Sequence, residues 1–150
     1  MQPLHVVYGG AHLFKAGTVP KLGELARKAA EEHRRLQQWL ERIWNISIDG
    51  IFVIDAQGEI IMVNPSGQRI LGLPDEQITS QRYDAPLWDV TDEDGIPLKP
   101  GEYPFEVVRQ TGTPVRGAKL VVNGSDGTRR VLSLDCAPLW DESGTFAGAF

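Results

Sequence analysis

The spacing of the apolar residues changes at residue 47, and this change divides the chain into parts with different secondary structure. Over residues 20–46 apolar side chains recur at alternating steps of three and four, which is the spacing of an α-helix. From residue 47 the spacing falls to two and turn sequences recur, as in short β-strands. The sequence predicts a long helix over residues 20–46 and a domain over residues 47–150. Residues 1–19 show no clear period and are expected to form a short strand or to be disordered.

The predicted helix carries one apolar stripe along its length. The members of the stripe occupy positions a and d of a heptad repeat, and Glu32 interrupts one d position. A helix of roughly 25 residues is on the order of 35–40 Å long, because each residue adds 1.5 Å. One small domain cannot bury such a rod, so the pattern favours pairing with the same helix of a second copy; the alternative is packing on its own domain. The candidate dimer-interface residues are Leu22, Leu25, Ala29, Leu36, Trp39, Ile43 and Ile46.

The domain after residue 46 is predicted to be α+β with one antiparallel sheet. Residues 51–54 and 60–63 are expected to form a hairpin. Asn64 suits the N-cap of a helix that ends at Gly72, and a second helix is predicted over residues 102–110. Three further strands are predicted to close the domain, at 115–122, 129–139 and 145–150.

Charge and composition exclude several classes of function. The net charge is −5, and residues 45–150 alone carry −8, so the domain is poorly suited to binding the phosphates of nucleic acid. No run of 18 apolar residues occurs, so no membrane-spanning helix is expected. The single cysteine excludes an internal disulfide, and the first residues lack the pattern of a secretory signal. The expected location is the cytoplasm.

Turn landmarks from residue 46 onwards occur in an order and spacing that is typical of a known family. They include Asp49-Gly50-Ile51 at the first strand, Asn64 before the helix, Asp94-Gly95-Ile96-Pro97 and Asp126-Gly127-Thr128. Residues 46–150 resemble the PAS sensor family. The resemblance implies a five-stranded antiparallel sheet with helices across one face, preceded by a long amphipathic flanking helix. It also implies a signal-transduction module, as in two-component systems, with an output domain of the same chain beyond residue 150.

Side-chain alternation identifies candidate residues for a cavity between sheet and helices. On the strand 129–139, Leu132, Leu134 and Cys136 share the apolar face, and Leu120 points inward on the strand before it. An almost purely apolar lining predicts a hydrophobic ligand, such as a fatty acid or a flat ring. The alternative is that these residues fill a core without a ligand, and that the module serves only dimerisation or protein interaction. The family resemblance implies that Phe52, Ile54, Ile60, Met62, Phe146 and Phe150 complete the lining.

Cofactor, metal and enzyme motifs are not evident in the sequence. The resemblance implies that a light-sensing flavin member would carry a cysteine within Ser80–Val90, and that a haem-binding member would carry a histidine in the helix at 102–110; neither is present. The acidic run around Asp92 departs from a calcium loop at Val90 and Gly101, so a solvated loop and no metal site are expected. No nucleophile is paired with a base in a recognisable motif, so the chain is not expected to be an enzyme.

Overall fold

The structure is a computed structural model and describes residues 18–150. The expectation of a strand or disorder before residue 18 therefore lies outside the described residues. The chain divides into two compact units, the first ending at Ile43 and the second covering Trp44–Phe150. Helix α1 spans Thr18–Ile46, so its last three residues belong to the second unit.

Helix α1 confirms the predicted long amphipathic N-terminal helix. It has 29 residues, and an ion pair of 3.4 Å joins Lys28 Nζ to Glu24 Oε1 one turn earlier. The a and d side chains of the heptad repeat are exposed in the single chain, with Leu22 at 50% and Trp39 at 61%. The apolar stripe of α1 is therefore available for an intermolecular contact.

The second unit is an α+β domain, which confirms the expected fold class. Its strands form two hydrogen-bonded antiparallel sheets, ordered β2-β1-β7-β6 and β3-β4-β5. The strands are β1 (Phe52–Asp55), β2 (Ile60–Val63), β3 (Val90–Thr91), β4 (Val115–Asn123), β5 (Arg129–Cys136), β6 (Pro138–Trp140) and β7 (Phe146–Ala149). The helices are α2 (Pro65–Leu71), α3 (Asp75–Ile78) and α4 (Pro104–Thr111), with 3-10 turns at Pro86–Trp88 and Pro100–Glu102.

The prediction of five strands in one antiparallel sheet differs from the structure, in which residues 18–150 form seven strands in two antiparallel sheets. The predicted strand over residues 129–139 is divided at Ala137, where β5 pairs with β4 and β6 pairs with β7. Ala137 exchanges two main-chain hydrogen bonds with Phe150, at 2.8 and 3.0 Å, so the pairing passes from β4 to β7 at this residue. The short strand β3 adds another element at Val90–Thr91, which pairs with Val122 and Val121 of β4.

Helix α2 packs closely against the β1–β2 hairpin. The Asn64 side chain caps it by accepting from the Gly67 N–H at 2.9 Å, and Gly72 ends it at φ 70°. Gly67 permits the close approach, since a Cβ there would lie 2.6 Å from a Val63 methyl and 2.9 Å from the Phe52 ring. The helix thereby covers one end of the inner face of the sheet.

Candidate ligand-binding cavity

A cavity of about 680 Å³ lies within the second unit. Its walls come from both sheets, from α2, from the 3-10 turn at Pro86–Trp88 and from the start of α4. The side chains around it are mainly aliphatic and aromatic. The lining residues are Asp49, Gly50, Ile51, Phe52, Ile54, Ile60, Ile70, Leu71, Tyr83, Trp88, Val90, Tyr103, Pro104, Phe105, Leu120, Val122, Leu132, Ser133, Leu134, Asp135, Cys136, Ala137 and Phe150.

The structure brings most of the candidate lining residues together at this cavity. On β5 the exposure alternates as expected, and Cys136 is buried whereas Val131 is 53% exposed. The candidates that line the cavity are Phe52, Ile54, Ile60, Leu120, Leu132, Leu134, Cys136 and Phe150, whereas Met62 and Phe146 do not line it.

The expectation for Met62 is wrong, because a β-bulge on β2 reverses the side-chain parity. Ile54 pairs with Ile60 and Val53 pairs with Met62, so Ile61 is an extra residue on β2. After the bulge Val63 is buried at 5% exposure, whereas Met62 is 49% exposed. Met62 therefore lies on the outer side of the hairpin.

A second bulge, on β7, explains the positions of Phe146 and Phe150. Trp140 pairs with Phe146 and Leu139 pairs with Gly148, which leaves Ala147 as the extra residue. Phe146 packs in the closed core against Phe105, at a ring distance of 5.9 Å, and this corrects its placement in the cavity. Phe150 follows the bulge and is 52% exposed at the margin of the cavity.

One end of the cavity is aromatic, and it was not among the features predicted from the sequence. Tyr83 and Phe105 lie 4.6 Å apart between ring centroids, and Tyr83 meets Tyr103 edge-on at 5.4 Å. Tyr83 lies in the irregular connection between α3 and the Pro86–Trp88 turn, where no hydrophobic period indicates which residues turn inward. The run of aromatic residues at Tyr103 and Phe105, at the start of α4, was the available signal.

The aromatic end carries the main hydrogen-bonding group beside the cavity. The Tyr83 hydroxyl donates to Glu106 Oε2 at 3.2 Å, and Glu106 Oε1 accepts from Arg109 at 2.6 Å and from Gln110 at 3.0 Å. The pKa of Glu106 is lowered, mainly by the hydrogen bond from Arg109. The pKa values of Tyr83 and Tyr103 are raised, mainly by burial. At neutral pH the network contains a carboxylate held by donors and the neutral phenol of Tyr83, and the phenol of Tyr103 beside it is also neutral.

Cys136 is a buried apolar group in the wall. Its side chain is 6% exposed, and burial raises the pKa of its thiol to about 11. A thiol with that pKa stays protonated at neutral pH, which suits a lining residue better than a nucleophile.

Asn64 connects the cavity wall to the last turn of α1. The Asn64 side chain is fully buried, and its Nδ2 donates to the main-chain oxygens of Asp49 at 2.9 Å and Trp44 at 3.2 Å. Its Oδ1 accepts from the main-chain N–H of Ile51 at 2.9 Å as well as from Gly67. Asp49 and Ile51 both line the cavity, so one amide group holds three segments of the domain together.

Acidic residues near the cavity stabilise turns. Asp92 Oδ1 accepts from the main-chain N–H groups of Asp94 and Ile96 at 2.9 and 2.8 Å. Within the part of the chain that the structure describes, no group of three or more His, Cys, Asp and Glu side chains is arranged to hold a metal ion. Over the same residues, none of the helices has the length and hydropathy needed to span a bilayer.

A comparison with models of protein families shows which family the chain belongs to. The model of the PAS fold matches residues 34–150, which include the whole second unit. The chain belongs to the PAS family. This confirms the resemblance that was inferred from the turn landmarks. A search of curated proteins found no match.

Solved structures share this PAS fold. A PAS domain from Colwellia psychrerythraea is 19% identical, with a TM-score of 0.59, over 76% of this chain and 91% of that chain. A domain of a sensory box sensor histidine kinase/response regulator from Geobacter sulfurreducens is 21% identical, with a TM-score of 0.56 and the same coverage. The light-state dimer of the fungal blue-light photoreceptor Vivid is 15% identical, with a TM-score of 0.51, over 67% of this chain and 72% of that chain. At these identities the likeness establishes the fold.

Proposed function

We propose that this PAS chain is the sensory module of a signal-transduction protein, and that it binds a small hydrophobic ligand in the cavity of the second unit. The observation that carries the proposal is a cavity of about 680 Å³ with a mainly apolar lining. Ligand sites in proteins typically have volumes of about 300–1,000 Å³ and apolar walls with a few polar groups. The sensor histidine kinase origin of the Geobacter sulfurreducens domain supports a sensory role. A cytoplasmic location is part of the proposal.

The chemistry of the lining favours a flat or elongated apolar ligand. Aliphatic side chains such as Leu120, Leu132 and Leu134 form one wall, and Tyr83 and Phe105 form the aromatic end. Burying an unpaired polar group against these walls would be unfavourable, whereas a ring could stack against the aromatic side chains. A polar substituent would be best placed near the Tyr83 hydroxyl and the Glu106 carboxylate.

The flanking helix is the proposed route by which the signal leaves the module. Its a and d side chains are exposed in the single chain, and their heptad spacing suits a parallel homodimer seam. A ligand can shift the equilibrium between two arrangements of that seam only if it binds them with different affinities. Asn64 is the residue that would couple the ligand to the seam, since it forms hydrogen bonds both to Trp44 in the last turn of α1 and to Ile51 in the cavity wall.

A second candidate is a PAS module that serves only dimerisation or protein interaction. The exposed stripe of α1 favours it, because a dimer through this stripe needs no ligand. Two structures with the same fold, the Vivid light-state dimer and the complex of the N-terminal part of Escherichia coli DhaR with DhaL, are protein assemblies. The two candidates differ in whether the cavity is occupied.

Native mass spectrometry of the purified chain tests the ligand and the subunit count together. We expect a dimer that carries an extra mass, and that mass should be lost under denaturing conditions. An absorption spectrum identifies any chromophore. An empty chain would then be titrated with dodecanoic acid and with indole while its melting temperature is followed, because a ligand that binds only the folded state raises it.

Matched variants on β5 show where such a probe binds. Leu132→Phe places a ring in the cavity, whereas Val131→Phe places the same ring on the exposed side of the strand. We expect Leu132→Phe to abolish the extra mass or the probe-induced shift, and Val131→Phe to retain it. An empty cavity with no shift from either probe would exclude the sensory proposal in favour of the dimerisation module.

A further inference from the structure

A second, smaller cavity lies next to the main cavity in the second unit. Its volume is about 140 Å³, and one water molecule in the liquid takes up about 30 Å³. Leu71, Trp88 and Val122 line both cavities, so the two share this wall. The other walls of the small cavity come from the end of α2, the Pro86–Trp88 turn and residues 122–130 of the β4–β5 hairpin. The space is large enough for a small organic molecule.

Arg130 brings a guanidinium group to this small cavity. Arg130 is the second residue of β5, and only 23% of its side chain is exposed. Two glycines make room for the guanidinium. A Cβ on Gly72 would lie 2.9 Å from its Nη2, and a Cβ on Gly124 would lie 2.7 Å from its Nη1. The planar cation is therefore held between the end of α2 and the β4–β5 turn.

The hydrogen-bond donors of this guanidinium are available to a ligand. In the described part of the chain its ion pair is with Asp126, and 3.7 Å separates Arg130 Nη2 from Asp126 Oδ2. That distance is too long for a hydrogen bond, so the pair occupies none of the five N–H donors. Polar groups that are largely buried are normally hydrogen-bonded. An acceptor in the small cavity would satisfy these donors.

Asp126 is held mainly by its own turn. Its Oδ1 accepts from the main-chain N–H of Thr128 at 3.0 Å and also from the Thr128 hydroxyl. The pKa of Asp126 is lowered, mainly by that side-chain hydrogen bond. The Asp126 side chain is 59% exposed, and exposed ion pairs contribute little to stability. A ligand carboxylate can therefore compete with Asp126 for Arg130.

We propose that the small cavity binds a small organic carboxylate, with Arg130 as its main partner. A planar guanidinium can donate two parallel hydrogen bonds to a carboxylate. Leu73, Leu87 and Trp88 line the same cavity and offer apolar surface to a short hydrocarbon chain or a ring. This apolar surface favours an organic carboxylate over inorganic phosphate. The site does not depend on a ligand in the main cavity.

Titration of the chain with benzoate, followed by NMR of its amide groups, tests the site. At constant ionic strength we expect saturable shifts at the main-chain amides of Gly72, Gly124 and Ser125 and at Arg130 Nε. Benzamide has nearly the same shape without the charge. It should bind at least about tenfold more weakly, because hydrogen bonds to a charged acceptor are the stronger ones.

Variants of the hairpin assign the binding to Arg130. Arg130→Gln should weaken benzoate binding at least about tenfold. The matched control is Arg129→Gln, which removes the same charge one residue earlier, where the guanidinium donates to the Glu93 oxygen at 3.0 Å; it should change the affinity little. Asp126→Asn keeps an acceptor for the turn and removes the competing charge, so it should strengthen binding by about threefold. A purely structural Arg130 predicts no such gain.

Several outcomes would overturn the proposal. Benzoate shifts that persist in Arg130→Gln, or that centre on Leu120 and Leu132, would place the probe elsewhere, the second pattern in the main cavity. Equal affinity for benzamide or for inorganic phosphate would exclude a carboxylate site. The absence of shifts with both benzoate and the slimmer butanoate would show that the cavity takes no such ligand. If Arg130→Gln does not fold, Asp126→Asn decides, since unchanged affinity there would contradict the competition for Arg130.

Discussion

The side-chain amide of Asn64 donates a hydrogen bond of 3.2 Å to the main-chain oxygen of Trp44, twenty residues earlier in the chain. Trp44 lies in the last turn of α1, where main-chain oxygens have no partner within the helix. The same side chain caps α2 and holds the start of β1 through the Ile51 N–H. Asn64 therefore supports the domain and the end of its flanking helix at once.

Replacing Asn64 with alanine should destabilise the domain by about 2–3 kcal/mol, because the change removes a helix cap and leaves buried main-chain groups unpaired. Urea unfolding followed by circular dichroism measures the loss. The matched control is Asn45→Ala, at an exposed position of α1, which should change stability by less than about 0.5 kcal/mol. Equal effects of the two substitutions would contradict the structural role of Asn64.

Neighbouring residues on β4 distinguish the cavity from the closed core. Leu120 lines the cavity, whereas Val121 is fully buried at 0% exposure. Leu120→Phe should cost less than about 1 kcal/mol because the larger side chain enters open space, and Val121→Phe should cost about 1–3 kcal/mol through overpacking. Chemical denaturation of both variants checks the order. A larger loss for Leu120→Phe would show that the cavity is closed in solution.

The sequence predicts most of the fold because its strongest signals are local. The heptad period identifies α1, and Asn64 and Gly72 mark the ends of α2 through their capping chemistry. The two bulges were not predictable in this way. Ile61 and Ala147 carry no turn signal, and each shifts the register by one residue within its hairpin, β1–β2 for Ile61 and β6–β7 for Ala147. The one-residue shift in β2 is the reason that Met62 lies outside the cavity lining in which it was expected.

The aromatic end of the cavity was missed for a related reason. Tyr83 lies in an irregular connection that has no hydrophobic periodicity. Its inward position depends on contacts with Tyr103 and Phe105, about twenty residues away in the chain. Alternation along a strand identifies Leu132 and Leu134 because each side chain follows from its neighbour. No comparable rule applies within an irregular segment.

The heptad seam of α1 predicts a clear effect of a charge on self-association. Leu36→Lys places a charge at an a position of the proposed seam and should weaken the dimer at least tenfold, because an unpaired charge would be buried there. Gln37→Lys introduces the same side chain one residue later, outside the seam, and should change the dimerisation constant little. Sedimentation equilibrium over a range of concentrations measures both variants. Two equal dimerisation constants would exclude this seam.

Glu106 should contribute stability that is lost in acid. The Arg109 hydrogen bond is the main cause that lowers the pKa of Glu106 below its ordinary value of 4.5, so the folded state binds the proton more weakly than the unfolded state. The contribution is present above about pH 4.5 and is lost as the pH falls below it. Glu106→Gln and Arg109→Gln should both flatten the fall in urea midpoint between about pH 5 and pH 3. An unchanged pH profile in both variants would contradict this role.

Cys136 should affect stability at the opposite end of the pH range. Burial raises the pKa of its thiol from an ordinary value of 9.0 to about 11. Between these values the unfolded chain has lost the thiol proton while the folded chain keeps it, so stability should fall as the pH rises through this window. The urea midpoint of the native chain should therefore drop more between pH 8 and pH 10 than that of Cys136→Ala, which lacks the titrating group. Equal drops in the two proteins, or rapid alkylation of the folded chain by iodoacetamide at pH 8, would show that the thiol is not buried in the cavity wall.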